Sequence, residues 1–334
     1  MRQSKSKNNV RAETIGASSV VLWAVGALAV AAAYVQWSSR RAERENPPNG
    51  KFLSVQGTRL HYLDTGGTGP AVLLLHGNGS MARELEASGI IRDLASDYRV
   101  IAFDRPGFGY SERPRSVLWT PAAQADLIYT ALRSLGIPNA IVLGHSWGNL
   151  VALELALQHP AFVKGLVLAG GFYFAELRAD IPLLSVPAIP IVGDIMRYTL
   201  SPLIARALAP KAIRKMFKPK PVSKRFTEQF PLNLAMRPLT LRAAAEENAM
   251  LIPAVAKLKK RYSQIRQPTT IIAGQGDQIA NVDKHSVRLH EAIAHSSLSV
   301  YRNEGHMLLY GTSDLVKQAV DSLNSASLSL VKAA

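Results

Sequence analysis

Cysteine is missing from all 334 residues. That excludes a disulfide-stapled scaffold, a zinc site built on thiolates and a cysteine nucleophile, although it does not identify a redox compartment. Acidic side chains are scarce: 24 Asp and Glu stand against 39 Lys and Arg, for a net charge of +15. No internal repeat or low-complexity tract is present, so the chain is not a repeat array. What remains is 48% apolar and 19% charged, a globular composition, at a length that suits one large α/β domain with insertions.

The first feature present is a long apolar run. Residues 14–39 carry no charge. A helix rising 1.5 Å per residue over that length can cross a hydrocarbon core of roughly 30 Å. Tyr34 and Trp37 fall near its far end, where amphipathic rings favour the membrane interface. We read a basic tail over 1–13, a single-pass transmembrane anchor over 14–39 and a turn-rich linker over 40–50 that ends in Pro47-Pro48-Asn49-Gly50. A cleaved signal peptide is the alternative. Ala31-Ala32-Ala33 offers small residues to a peptidase, but the run exceeds the roughly 7–15 residues of an ordinary leader core. Arg2, Lys5, Lys7 and Arg11 on one side balance Arg40, Arg41, Arg44 and Lys51 on the other, so charge does not orient the helix.

Beyond the linker, 51–56 and 59–63 predict a hairpin about Gly57. Apolar runs then alternate with helical stretches. Strands are expected at 71–77, 99–104, 140–146 and 165–170, and again at 269–274 and 297–301, with helices between them near 81–95, 121–135, 147–159, 287–293 and 313–323. Runs with so little polar alternation are strands covered on both faces, which predicts a mainly parallel sheet flanked by helices. Between 172 and 265 the alternation stops, and short helices broken at Pro182, Pro187, Pro190, Pro202, Pro210, Pro219, Pro221 and Pro231 are expected instead. The expected division is a core first half at 51–171, a helical cap at 172–265 and a core second half at 266–334. The cap holds sixteen Lys and Arg against six Asp and Glu, two thirds of the chain's excess charge.

Gly144-His145-Ser146-Trp147-Gly148 fits G-x-S-x-G after a buried strand and before a helix. That turn holds the serine out at the strand's end, with the following helix N-terminus aimed at any anion formed there. A serine hydroxyl needs a base within reach. His306, in the loop after the last strand, is the candidate. His145 faces elsewhere, His76 braces the Gly77 turn, and His61, His159, His285, His290 and His295 read as surface or helix-end residues. Asp277, in the loop after 269–274, is expected to orient His306, with Asp283 left to cap the next helix. The Gly-rich loop His76-Gly77-Asn78-Gly79-Ser80 lacks the endings of a phosphate loop, and is expected to turn the Asn78 backbone N–H toward a developing oxyanion, joined by that of Trp147.

Together these residues resemble the α/β-hydrolase fold superfamily from about Lys51 onward. Asp104-Arg105-Pro106-Gly107-Phe108-Gly109-Tyr110-Ser111 looks like the signature shared by epoxide hydrolases, haloalkane dehalogenases, haloperoxidase-like esterases and related lipases, where the Asp and Arg organise loops. The resemblance implies that an elbow carrying Ser146, where dehalogenases and epoxide hydrolases carry aspartate, forms an acyl-enzyme on carboxylic esters. A perhydrolase, an acyltransferase, a C–C bond hydrolase and a non-catalytic ligand-binding member are the alternatives. Anchor plus capped serine hydrolase is similar in layout to membrane-bound monoacylglycerol lipases. No cofactor or metal is expected.

In the cap, Leu203, Ile204, Leu208, Ala212, Ile213, Met216 and Phe217 recur at helical spacing, and 211–225 holds seven basic and no acidic residues. Such a segment can lie on anionic lipid or pack on the core with a solvated basic face, and both readings stay open. Nucleic acid is not an expected partner, because no recognised motif or stacking aromatics accompany the charge. Ile181, Leu183, Leu184, Val186 and Ile189 suggest a pocket for a small lipophilic ester.

Overall fold

A computed structural model describes residues 17–176 and 180–333; the basic tail 1–13 and the start of the apolar run lie outside them. Eight strands form one sheet in the order β1-β2-β4-β3-β5-β6-β7-β8. β1 (Lys51–Val55) and β2 (Thr58–Asp64) make the antiparallel hairpin, turning through Gln56 and Gly57 at φ 48° and 72°. Positive φ at both central residues matches the twist of the flanking strands. β2 also lies antiparallel to β4 (Arg99–Phe103). β3 (Ala71–Leu75), β5 (Ala140–His145), β6 (Val163–Ala169), β7 (Thr269–Gly274) and β8 (Ser296–Tyr301) run parallel.

Alternate residues of each inner strand enter two different cores. Leu73, Leu75, Ile101, Phe103, Val142, Leu166, Leu168 and Ile271 pack beneath α4 (Pro121–Ser134), α5 (Gly148–Gln158) and part of α11 (Pro238–Lys259). Val72, Leu74, Val100, Ala102, Ile141, Leu143, Val167 and Ile272 pack beneath α2 (Ala82–Ser88), α3 (Ile90–Leu94) and α13 (Ser313–Ala333). Two apolar faces explain why these strands read as unbroken apolar runs. α12 (Arg288–Ala292) connects β7 to β8. The single helix expected near 81–95 is two helices, because Gly89 adopts φ 91° and closes the first as a left-handed cap.

The segment between β6 and β7 holds α6 (Asp180–Ser185), α7 (Val192–Tyr198), α8 (Ser201–Phe217), α9 (Lys224–Gln229), α10 (Leu232–Ala235) and α11. Pro210 does not end a helix but sits inside α8. It is exposed, so water can satisfy the carbonyl whose intrahelical donor is missing. α11 belongs structurally to the body as much as to the cap, since Leu251, Val255 and Leu258 join the core.

α1 (Ala17–Glu45) divides into two parts. From Ser19 to Val30 its residues are exposed on all sides, whereas Val35, Ser38, Ser39 and Ala42 are buried against the body. Glu43 pairs with Arg237 at 2.7 Å beside that junction.

Candidate active site

Four sheet strands end at one edge, and the loops that follow them carry Asn78, Ser146, Asp277 and His306. After β5 the chain turns at Ser146, which adopts φ 55°, a left-handed conformation held by its N–H donating to the Ala169 carbonyl at 2.9 Å. The flanking glycines are required by space. A Cβ on Gly148 would overlap the Leu75 carbonyl, and one on Gly144 would lie 2.6 Å from the Asn149 side chain. The hydroxyl of Ser146 is thereby fixed at the strand's carboxyl end.

His306 follows β8 and is itself buried. Its Nε2 lies 2.9 Å from Ser146 Oγ, and its Nδ1 lies 2.9 Å from Asp277 Oδ2. Facing a carboxylate, Nδ1 carries the proton, which leaves Nε2 to accept from the serine. The loop is pinned on both sides: the His306 N–H donates to the Met216 carbonyl of α8 at 3.0 Å, and the His306 carbonyl accepts from His145 Nε2 at 2.9 Å. His145 thus faces away from Ser146 and supports His306 from behind. Burial, with the neighbouring His306, pushes the His145 imidazole down to about 4, so it stays neutral.

Asp277 performs two tasks that the sequence divides between two residues. Oδ1 accepts the N–H groups of Ile279 and Ala280 at 2.7 and 2.9 Å, while Oδ2 meets His306. The following turn is capped by Asn281, whose Oδ1 accepts the Lys284 N–H at 3.1 Å, and not by Asp283. Burial pushes the Asp277 carboxyl up, but the His306 imidazole and the two N–H donors override it and hold the group below its ordinary value.

The loop after β3 carries Asn78. Its side chain is tied to α11 through the Ala244 carbonyl at 3.2 Å and Asn248 Oδ1 at 3.0 Å. Among the described residues, neither the Asn78 nor the Trp147 backbone N–H donates to a protein acceptor. Arg105, wholly buried, fixes this loop: Nε donates to the His76 carbonyl and Nη2 to the Gly77 carbonyl, each at 2.9 Å, and the guanidinium pairs with Glu247 of α11. His76 Nε2 accepts the Arg105 N–H at 2.9 Å. Asp104 likewise gathers its surroundings, meeting His61 Nδ1 at 2.7 Å and the Ala82 N–H at 2.7 Å.

His61 and His285 are not surface residues. His61 points inward from β2 because Asp104 supplies its partner, and His285 is buried with Nδ1 accepting the N–H groups of Tyr173 and Phe174.

Two cavities meet at Ser146 and Asn78. One of about 130 Å³ is bordered by Trp147, Leu150, Phe172, Ile181, Leu184 and Leu251. The other, of about 220 Å³, is bordered by His306 and by Ala212, Ile213, Met216, Phe226, Phe230 and Met236. The second also contains Glu84, which the sequence reading passes over. Its carboxyl group is buried, with His145 Nδ1 3.8 Å from one oxygen and the Ser80 hydroxyl as its hydrogen-bonding neighbour. Burial pushes this group up to about 8, so at neutral pH it is mostly an uncharged acid. No sequence pattern marks Glu84, since it sits on an ordinary amphipathic helix. Among the described residues no group of three His, Asp or Glu side chains is placed to hold a metal ion.

The family model of the alpha/beta hydrolase fold matches residues 70–311. An uncharacterised protein of Mycobacterium bovis is 29% identical over 297 residues, covering 84% of this chain and 83% of that one. The 2-hydroxymuconate semialdehyde hydrolase of Pseudomonas sp. strain CF600 is 35% identical over 130 residues, 39% of this chain and 46% of the enzyme. The crystal structure of a bacterial membrane phospholipase A superposes with a TM-score of 0.63 at 22% identity, covering 92% of this chain and 96% of that one. At that identity the likeness is one of fold.

Proposed function

The chain belongs to the alpha/beta hydrolase fold family, and from that premise we propose that it is a membrane-anchored serine hydrolase acting on lipophilic carboxylic esters. The reading is carried by the unbroken line from Asp277 through His306 to Ser146, two hydrogen bonds of 2.9 Å each. Ser146 Oγ attacks the ester carbonyl carbon as its proton passes to His306 Nε2. Asp277 stabilises the imidazolium so formed. The Asn78 and Trp147 backbone N–H groups receive the negative charge on the carbonyl oxygen. Collapse breaks the C–O bond to the alcohol, which leaves with the proton from His306. Water, deprotonated by the same histidine, then attacks the acyl-enzyme carbonyl and releases the acid and Ser146.

Two cavities that share Ser146 suit the two halves of an ester, and the apolar borders of both support a lipophilic substrate. Anchoring is supported by α1: the most apolar eighteen-residue window within Ser19–Glu45 has a mean hydropathy of 1.8, and only 6% of that window is buried. The helix runs through Ala31–Ala33 without a break and then packs on the body, which favours an anchor over a removable leader. A second reading, hydrolysis of a C–C bond, is favoured by the likeness to the semialdehyde hydrolase.

Purified full-length protein assayed on p-nitrophenyl esters of graded acyl length should show kcat/KM rising from acetate to medium or longer chains. Turnover restricted to acetate would contradict the lipophilic ester. Turnover of a vinylogous diketone with no ester turnover would instead select the C–C reading.

A further inference from the structure

We infer that the outer face of α7 and the first half of α8 is a docking surface for lipid acyl chains, seated in the same leaflet as α1, from which lipid esters enter the two cavities. The inference deepens the proposed function and rests on α1 being a membrane anchor.

The distribution of exposed apolar residues carries it. Apart from Val117, Leu118 and Val300, every exposed large hydrophobic residue among those described lies in α1 or between Leu183 and Leu208. On α7 and α8 these include Val192, Ile195, Ile204 and Leu208, each half exposed or more. Soluble proteins rarely present such a contiguous patch without an apolar partner. The stripe expected along α8 therefore divides. Its second half turns Ile213, Met216 and Phe217 inward and leaves Lys211, Arg214 and Lys215 outside, whereas its first half presents apolar residues outward.

What covers the patch follows from where α1 meets it. α7 packs against α1, and Arg206 of α8 donates to Ser38 Oγ at 2.5 Å and lies over the Tyr34 ring. Tyr34 and Trp37 are the aromatic band of the apolar helix, the level at which a membrane interface sits. The patch therefore borders the leaflet at the depth where α1 enters it. Residues Asp180–Ala188 and Val192–Tyr198 form an apolar pair bent by 90°. With a 90° bend and only about 10 Å of rise along the seven-residue α7, the pair suits entry into one leaflet. The basic second half of α8 follows at headgroup level. The elements flanking this face border the cavities: Ile181 and Leu184 of α6 line one, and Ile213 and Met216 in the second half of α8 line the other.

Because the chain has no cysteine, one fluorophore can be placed at a time. Full-length Leu28→Cys, Ile195→Cys, Ile204→Cys and Ser134→Cys, each labelled with an environment-sensitive dye, would be reconstituted in vesicles of phosphatidylcholine and phosphatidylglycerol. Labels at 28, 195 and 204 should be quenched by nitroxides on lipid acyl chains and shielded from aqueous iodide, with 134 the reverse. Iodide quenching at 195 and 204 while 28 remains in lipid overturns this inference alone. Iodide quenching at 28 overturns the anchor as well. Shielding of 195 and 204 from both quenchers, lost when protein is diluted in lipid, would give the face to a second copy and overturn the proposal. In parallel, Val192→Asp/Ile195→Asp should slow hydrolysis of a vesicle-borne lipid ester by at least about tenfold, given two apolar side chains that no longer favour burial. It should leave p-nitrophenyl butyrate turnover unchanged, and an equal effect on both substrates, or on neither, counts against lipid entry from this face.

Discussion

Ser146 sits in a backbone conformation that a serine adopts only when its surroundings impose it, and the groups around it are spaced for proton transfer. Asp277→Asn tests the orienting carboxylate with little structural disturbance, because asparagine keeps an acceptor for the Ile279 and Ala280 N–H groups. We expect kcat to fall by about 10³–10⁴ with thermal melting nearly unchanged. A loss below tenfold in steady-state assays would remove Asp277 from the proton path. Glu84 gives a pH signature of its own. Its folded pKa, about 8, exceeds its ordinary 4.5, so the folded state holds a proton that the unfolded state releases. The stability from this group is therefore complete below pH 4.5 and declines as pH rises toward 8, by up to about 1.4 kcal/mol per pH unit. Thermal melts from pH 5 to 8 should show a smaller decline in Glu84→Gln than in the parent. Equal slopes would mean that Glu84 ionises freely.

At the scale of elements, Arg105 joins the proposed oxyanion loop around Asn78, the loop after β4 and α11 through one guanidinium. Both partners of its ion pair are wholly buried, so removing one strands the other. Glu247→Leu should destabilise the protein by about 3–5 kcal/mol in denaturant titration, and Arg105→Met/Glu247→Leu should recover much of that. The double variant should still lose activity, because the His76 and Gly77 carbonyls lose their donor; full activity in it would separate Arg105 from the oxyanion loop. How far such elements can be read from sequence depends on whether the signal is local. The parallel strands are legible because both of their faces are apolar, and the elbow because its glycines are demanded by contacts next to it in the chain. Asp277 and His306 are legible because each closes a strand whose end the α/β alternation locates. The burial of His61 and His285 is not legible, since their partners Asp104, Tyr173 and Phe174 come from distant loops. Nor is the division of α8 into an inward and an outward half, which depends on what lies beneath each turn.

For the whole molecule, the proposed anchoring combines the excess positive charge, the apolar helix and the cap into one orientation: cap and α1 toward lipid, the strands' amino ends away from it. In alkaline carbonate extraction of cell membranes the full-length protein should stay in the pellet, and release to the supernatant would contradict an anchor. The proposed reactivity rests on one oxygen atom, Ser146 Oγ. Full-length protein treated with a fluorophosphonate and digested for peptide mass spectrometry should carry a single adduct, on Ser146, that disappears in His306→Ala. An unmodified Ser146 in folded protein, or an adduct elsewhere, would contradict the account.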